Sequence, residues 1–134
     1  MEKEIIKSAP VMLIDFRSNR IRIHKNTLRL IGNPDYIQFL INPQEQNLAI
    51  RVSNSSDTLA HKVRWSLLDH GQCCEFYSKQ LVYTIWHYFS PLFDKQAYRF
   101  YGKIISSEPI AIFSLTDSSP INNIHSQKVA NDHE

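Results

Sequence analysis

The chain has 134 residues, a length that suits one domain with its own hydrophobic core. Its 43% hydrophobic and 21% charged residues are ordinary for a globular protein, and its net charge of +2 does not by itself indicate a nucleic-acid partner. No apolar run approaches the roughly 18–20 residues that span a bilayer, and the first five residues lack the apolar core of a secretion signal. We therefore expect a cytoplasmic protein without a membrane segment.

The first half of the sequence predicts strands, one short helix and a hairpin. Residues 12–16 and 20–24 predict two strands, and the alternation of polar and apolar residues over 20–24 is typical of a half-buried strand. Residues 25–32 predict a short helix that ends at a glycine. Residues 36–41 and 48–52 predict a hairpin, because the segment between them has the composition of a turn.

The second half predicts the same order of elements. A strand at 74–77 precedes a helix at 79–89, for which Ser78 is a suitable N-terminal cap, and a hairpin over 98–102 and 110–115 follows. Similar residues recur at fixed spacing, since Tyr36 and residues 48–50 shifted by 62 positions fall on Tyr98 and residues 110–112. In the strand and helix the spacing is 53, which brings Ile23 onto Phe76 and Leu28 onto Leu81.

These spacings predict one domain built from two copies of a strand–helix–hairpin unit, neither of which buries its apolar face alone. The segment between the copies fits either a short helix or an added strand, and the Ser-, Asn- and Asp-rich C-terminus predicts disorder. The predicted organisation is a flexible N-terminus (1–10), a domain (11–116) of two repeats (11–53 and 73–116) with a linker (54–72), and a disordered tail (117–134).

Five basic residues lie in a stretch without acids. Between Phe16 and Pro34 there is no Asp or Glu, yet the stretch holds a third of the fifteen Lys and Arg residues. Side chains two apart on a strand share a face, as do those four apart on a helix, and arginines can contact phosphates and guanine edges. The stretch therefore predicts a DNA-binding site at Arg17, Arg20, Arg22, Lys25 and Arg29. The alternative is a solvated charged face that balances acids elsewhere in the fold.

The stretch from Arg20 to Leu40 resembles the DNA-binding module of the SpoVT–AbrB swapped-hairpin family. Arg20 matches the leading basic residue of the family, Ile23 its strand-end isoleucine, and Leu28 and Gly32 its helix and helix stop. The chain departs from the family pattern at His24, where the family has proline, and at Asn19, where it usually has glycine.

Two such units in one chain are similar to the tandem arrangement of MraZ. The resemblance implies an α+β fold with a β-rich core, in which the two units form a pseudo-dimeric swapped-hairpin barrel. It also implies a small transcription regulator that binds double-stranded DNA through the first repeat. The other hypothesis is a non-enzymatic oligomeric assembly or protein-interaction module that has the same fold and does not bind DNA.

The helix at 79–89 predicts a homo-oligomer. A helix that is apolar over so much of its surface is buried on two sides or packs on a partner chain. Its apolar residues form two stripes, one of Leu81, Ile85 and Tyr88 and one of Val82, Trp86 and Phe89.

No arrangement of residues predicts enzymatic chemistry. His61, His70, Cys73 and Cys74 are of metal-ligand type, but adjacent cysteines suit a zinc site poorly. A cysteine nucleophile would need a nearby base such as His70 or His87, and nothing in the sequence brings them together. Three single glycines form no phosphate-binding loop. We therefore expect no metal, no cofactor, no small-molecule substrate and no enzymatic activity.

Overall fold

The computed structural model describes residues 10–69, 71–89, 96–105 and 107–121. Within these ranges the helices are α1 (Lys25–Leu30), α2 (Lys79–Phe89) and a 3-10 helix (Trp65–Asp69). The strands are β1 (Val11–Asp15), β2 (Arg20–His24), β3 (Tyr36–Asn42), β4 (Asn47–Ser53), β5 (His61–Lys62), β6 (Cys73–Tyr77), β7 (Ala97–Ile105) and β8 (Ile110–Pro120). The described helices include none that is long and apolar enough to span a bilayer.

All eight of these strands belong to one antiparallel sheet in the order β5-β3-β4-β8-β7-β1-β2-β6. The two edge strands of the sheet, β5 and β6, approach each other: the ring centroids of His61 on β5 and Phe76 on β6 are 5.9 Å apart. The sheet is therefore a nearly closed barrel, and the chain has the β-rich α+β fold that the sequence predicted.

The structure specifies the predicted linker and corrects the start of the predicted tail. The predicted linker, 54–72, contains both strand β5 and the 3-10 helix. Strand β8 continues to Pro120 and pairs there with β7, so residues 117–120 of the predicted tail belong to the sheet. Residues 1–9 of the predicted flexible N-terminus and residues 122–134 of the predicted tail lie outside the described ranges.

The order of elements occurs twice, as β1-β2-α1-β3-β4 and β5-β6-α2-β7-β8. β1 pairs with β7 and β5 pairs with β3, so each hairpin is bordered by the first strand of the other half. The start of each helix repeats one hydrogen bond, since the Lys25 N–H donates to the Gln72 carbonyl (2.9 Å) and the Ser78 N–H donates to the Asn19 carbonyl (3.1 Å). The donor of one bond is 53 positions from the donor of the other, and so are the acceptors but in the opposite direction, because the two halves exchange roles; this is the spacing that the sequence predicted for this part of the unit.

The predicted spacing of the hairpins is wrong by one residue. Phe39 pairs with Ile50 in the first hairpin and Gly102 pairs with Phe113 in the second, which is a shift of 63 positions for both strands. Ile50 and Phe113 are both fully buried, whereas a shift of 62 would match Ile50 to the half-buried Ile112. Since successive side chains point to opposite faces of a strand, a one-residue slip exchanges the inner and outer faces.

Local signals in the sequence position both helices. The His24 Nδ1 accepts a hydrogen bond from the Asn26 N–H (3.1 Å) and caps α1, and Gly32, with φ +109°, turns the chain after it. The Ser78 Oγ accepts from the Leu81 N–H (3.2 Å), which confirms the predicted cap of α2.

The helices and the inward strand positions bury a common core, whose largest members are Phe100, Phe113, Met12, Ile14, Ile21, Ile23, Leu28, Ile31, Ile37, Leu48, Ile50 and Ile85.

Candidate nucleic-acid interface

Strand β2 presents two arginines to the outside of the barrel. Ile21 and Ile23 are fully buried, and Arg20 and Arg22 alternate with them on the exposed side. The prediction that these two arginines share a face is therefore confirmed. Across the outer surface Arg22 lies opposite Glu75 on β6.

A further arginine of the same outer surface comes from the second half. Leu13 on β1 pairs with Arg22 on one side and with Arg99 on β7 on the other. Arg99 and Arg22 are thus two strands apart, at a backbone separation of roughly 10 Å. The arginine face is defined here as Arg20, Arg22 and Arg99, together with Arg17 in the turn between β1 and β2.

Glu75 partly neutralises the centre of the arginine face. Its Oε2 lies 2.8 Å from the Arg22 Nε and 3.7 Å from an Arg20 Nη atom, so one carboxylate serves two guanidinium groups. All three side chains are close to half exposed, between 45% and 49%. Exposed ion pairs of this kind contribute little stability, roughly 0–1 kcal/mol, and are screened by salt.

Asp15 holds the guanidinium of Arg17 through two hydrogen bonds. The Arg17 Nε donates to Asp15 Oδ1 (3.0 Å) and an Nη atom donates to Oδ2 (3.2 Å). Partial burial raises the pKa of Asp15, but the hydrogen bonds from Arg17 outweigh it and leave that pKa below its usual value. The pairing also raises the pKa of Arg17. The stretch from Phe16 to Pro34 holds no acid, but Asp15 directly precedes it in sequence and the β2–β6 pairing brings Glu75 to it in space.

The two remaining predicted site residues lie on α1. Lys25 follows β2 directly and is half-buried, whereas Arg29 is exposed and its Nη atom donates a 3.5 Å hydrogen bond to Asn26 Oδ1. Lys25 and Arg29 therefore add basic residues after the end of β2, along the chain, and not on the neighbouring strands of the sheet.

Sequence reasoning missed Arg99 because its signal is not local. It lies in the second hairpin, which carries no basic cluster, and only the pairing of β7 with β1 brings it to the outer surface of the first half. Beside it, hydrogen bonds with Ser119 and Arg99 lower the pKa of Tyr101.

The residues with metal-binding or nucleophilic chemistry are dispersed. Cys73 is exposed and Cys74 is buried, and burial raises the pKa of both thiols, whereas a thiolate nucleophile needs a lowered one. The His61 ring contacts Phe39 and Phe76, and burial lowers its pKa. His70 lies outside the described ranges, in which no group of three or more potential metal ligands occurs.

Helix α2 buries one stripe rather than two. Val82, Ile85 and Phe89 are buried, but Tyr83 and Tyr88 are 64% and 53% exposed. Tyr88, the last member of the predicted stripe of Leu81, Ile85 and Tyr88, is therefore not buried within the chain, and its packing on a partner chain stays a prediction. The exposed ring of Tyr83 stacks on His87 with centroids 6.2 Å apart.

Comparisons with known proteins found no matching family model, no matching curated protein and no matching solved structure.

Proposed function

We propose that the chain is a small transcription regulator that binds double-stranded DNA through the arginine face. The observation that carries the proposal is the charge count of this outer surface. Four guanidinium groups, those of Arg17, Arg20, Arg22 and Arg99, stand against three carboxylates, those of Asp15, Glu75 and, close to Tyr101, Asp117. The surface therefore keeps an excess of positive charge even when every pair is formed.

Exposed carboxylate pairs do not prevent DNA binding. A phosphate is an equally good partner for a guanidinium group, and its binding releases condensed counterions from the DNA. Arg20 and Arg22 are each about half exposed, so a phosphate can approach them without unfolding any element. Arginine side chains that neighbouring carboxylates already restrain also lose less conformational freedom on binding.

The resemblance to the SpoVT–AbrB family supports the same proposal. Arg20, which matches the leading basic residue of the family pattern, is exposed at the start of β2. Ile23 and Leu28, which match its strand-end isoleucine and its helix, are fully buried. Each hairpin is bordered by the first strand of the other half, so the two units complete one barrel, and this supports the proposed tandem arrangement of two swapped-hairpin-like units.

A second candidate function is a protein-interaction or assembly module with the same fold. The observation that favours it is the exposed aromatic surface of α2, where Tyr83 and Tyr88 flank His87. Aromatic residues are enriched at protein interfaces.

A gel-shift titration tests the proposal. We expect wild-type protein to retard a 30-base-pair duplex of random sequence in low salt, with an affinity that falls steeply as salt rises. The Arg20→Ala/Arg22→Ala variant should bind at least about tenfold more weakly, and its plot of log affinity against log salt should be shallower by about 2.

The charge-matched control is Arg51→Ala/Lys103→Ala, because both side chains are exposed and lie outside the arginine face. It should keep most of the wild-type affinity. Equal losses in the two variants would mean that net charge alone drives binding, and no retardation of the wild type would leave the assembly module as the better function. Either result would contradict the proposal.

A further inference from the structure

A cleft of about 510 Å³ lies between the β1–β2 turn and helix α2. Lys79, Val82, Tyr83 and Trp86 are spaced as i, i+3, i+4 and i+7, so one face of α2 forms one wall. Phe16 and neighbouring turn residues form the other. The volume lies within the range of roughly 300–1,000 Å³ that small-molecule sites occupy.

The walls of the cleft are aromatic. Phe16 is 2% exposed, and its ring centroid lies 5.6 Å from that of Trp86 at an angle of 55°. Val82, which also lines the cleft, is buried, whereas Tyr83 keeps 64% of its surface exposed. A flat ring inserted here would stack on aromatic faces and remove Tyr83 from water.

The charged side chains that line the cleft are cations. Lys79 and Arg17 are the charged lining residues, and the lining includes no acid. Arg17 is paired with Asp15 beside the cleft, whereas no carboxylate of the described residues forms an ion pair with the Lys79 ammonium. The amides of Asn19 and Gln80 add hydrogen-bonding groups at the rim. A negatively charged group on the ligand therefore finds Lys79 as its main partner.

The first half of the chain has no equivalent of this cleft chemistry. The positions 53 residues before Lys79, Tyr83 and Trp86 are Asn26, Leu30 and Asn33, which supply neither a cation nor an aromatic ring. α1 also ends at Leu30, before the position that matches Trp86. The repeat of the fold alone therefore does not produce the aromatic walls and the cation of the second half.

We propose that this cleft binds a small, planar aromatic molecule that carries a negative charge. The ring stacks on the accessible surfaces of Trp86 and Tyr83, over the base formed by Phe16, and the anionic group pairs with Lys79. This inference does not depend on DNA binding.

Titration with 2-naphthoate, followed by amide NMR spectra of the full chain, tests the proposal. We expect a dissociation constant of about 1 mM or tighter, with the largest shifts in residues 16–19 and 79–86. The uncharged analogue 2-naphthalenemethanol should bind about tenfold more weakly, because it cannot pair with Lys79.

Two variants and two matched controls locate the site. Lys79→Gln should remove the preference for the charged probe, and Tyr83→Ala should weaken both probes several-fold, while both variants keep the wild-type spectrum elsewhere. Lys103→Gln and Tyr88→Ala make the same changes at exposed positions outside the cleft and should bind as the wild type does. The proposal would be overturned by any of three results. These are the absence of saturable binding, chemical-shift changes centred on other residues, and equal affinities of Lys79→Gln and the wild type for 2-naphthoate.

Discussion

The two halves of the chain share one order of elements but differ in the chemistry of their outer surfaces. At the centre of the β2–β6 pair, Arg22 of the first half lies opposite Glu75 of the second, and the two are 53 positions apart. The pair therefore coincides with the local two-fold axis that relates the halves. A dimer of identical chains would place two arginines there. Joining the units in one chain allows one position to be basic and its counterpart acidic.

The halves also differ in how they close the barrel. Met12 on β1 pairs with Phe100, and His61 on β5 pairs with Ile37, so Met12 and His61 occupy corresponding positions. β1 forms a ladder with β2 and buries Met12 completely, whereas β5 has two residues, forms no ladder with β6 and leaves His61 half-buried. The second half therefore contains the seam of the barrel.

The largest expected effect comes from Gly102, whose counterpart in the first hairpin is Phe39. A Cβ at Gly102 would collide with the Ile112 carbonyl oxygen and lie 2.7 Å from Phe113 Cδ2, inside the β7–β8 hairpin. We expect Gly102→Ala to lower the free energy of unfolding by about 3 kcal/mol, since neither the backbone nor the buried ring can move freely. Urea denaturation measures the change.

Gly71→Ala is the control for this prediction. A Cβ at Gly71 would meet its nearest atom, the Leu67 carbonyl oxygen, at 3.7 Å, which is an ordinary contact. We expect a change within about 0.5 kcal/mol. Equal stability of the two alanine variants would contradict the close packing of β8 against Gly102.

A smaller effect is expected from His61 at the seam. Burial lowers the pKa of His61, so the folded protein binds this proton less readily than the unfolded chain does. The stability that the neutral ring contributes is therefore complete above the unfolded pKa of about 6.5 and is lost as the pH falls through the lowered folded value. We expect His61→Met, which copies the first half, to reduce the loss of thermal stability between pH 7.5 and pH 5.5.

The matched variant is His87→Gln, on the exposed side of α2, which should keep the wild-type dependence on pH. At pH 7.5 the His61→Met substitution should change the free energy of unfolding by less than about 1 kcal/mol. An unchanged pH dependence in His61→Met would show that His61 is solvated in the folded protein.

The sequence predicted the elements of each half because their signals are local. The alternation of Arg20 to His24, the cap at Ser78 and the stop at Gly32 each involve residues within one turn or strand. The segment that contains β5 left a helix and a strand equally open, since two residues carry no periodicity and the position of β5 depends on its pairing with β3. The spacing between the two hairpins was predicted as 62 rather than 63 residues. Identical residues at a spacing of 62, such as Tyr36 and Tyr98, occur by chance, and the true register is defined only by the pairing of the strands.

The candidate site was predictable only in part for the same reason. The basic residues of β2 and its turn are adjacent in sequence, and the structure brings Arg20 and Arg22 to one outer face. The opposing carboxylate of Glu75 and the added cation of Arg99 come from strands that are more than fifty residues away. The net charge of a sheet surface depends on the side chains of neighbouring strands, and counting charges along one stretch of sequence does not include those side chains.

The measurement that tests the central difference between the halves most directly is the DNA affinity of Glu75→Gln in low salt. This change frees Arg20 and Arg22 from their shared carboxylate, and we expect the affinity to rise by about three- to tenfold. Glu45→Gln makes the same change of charge in the exposed β3–β4 turn and should alter the affinity less than about twofold. Equal affinities for the two variants, or weaker binding by Glu75→Gln, would contradict a DNA-binding arginine face centred on the Arg22–Glu75 pair.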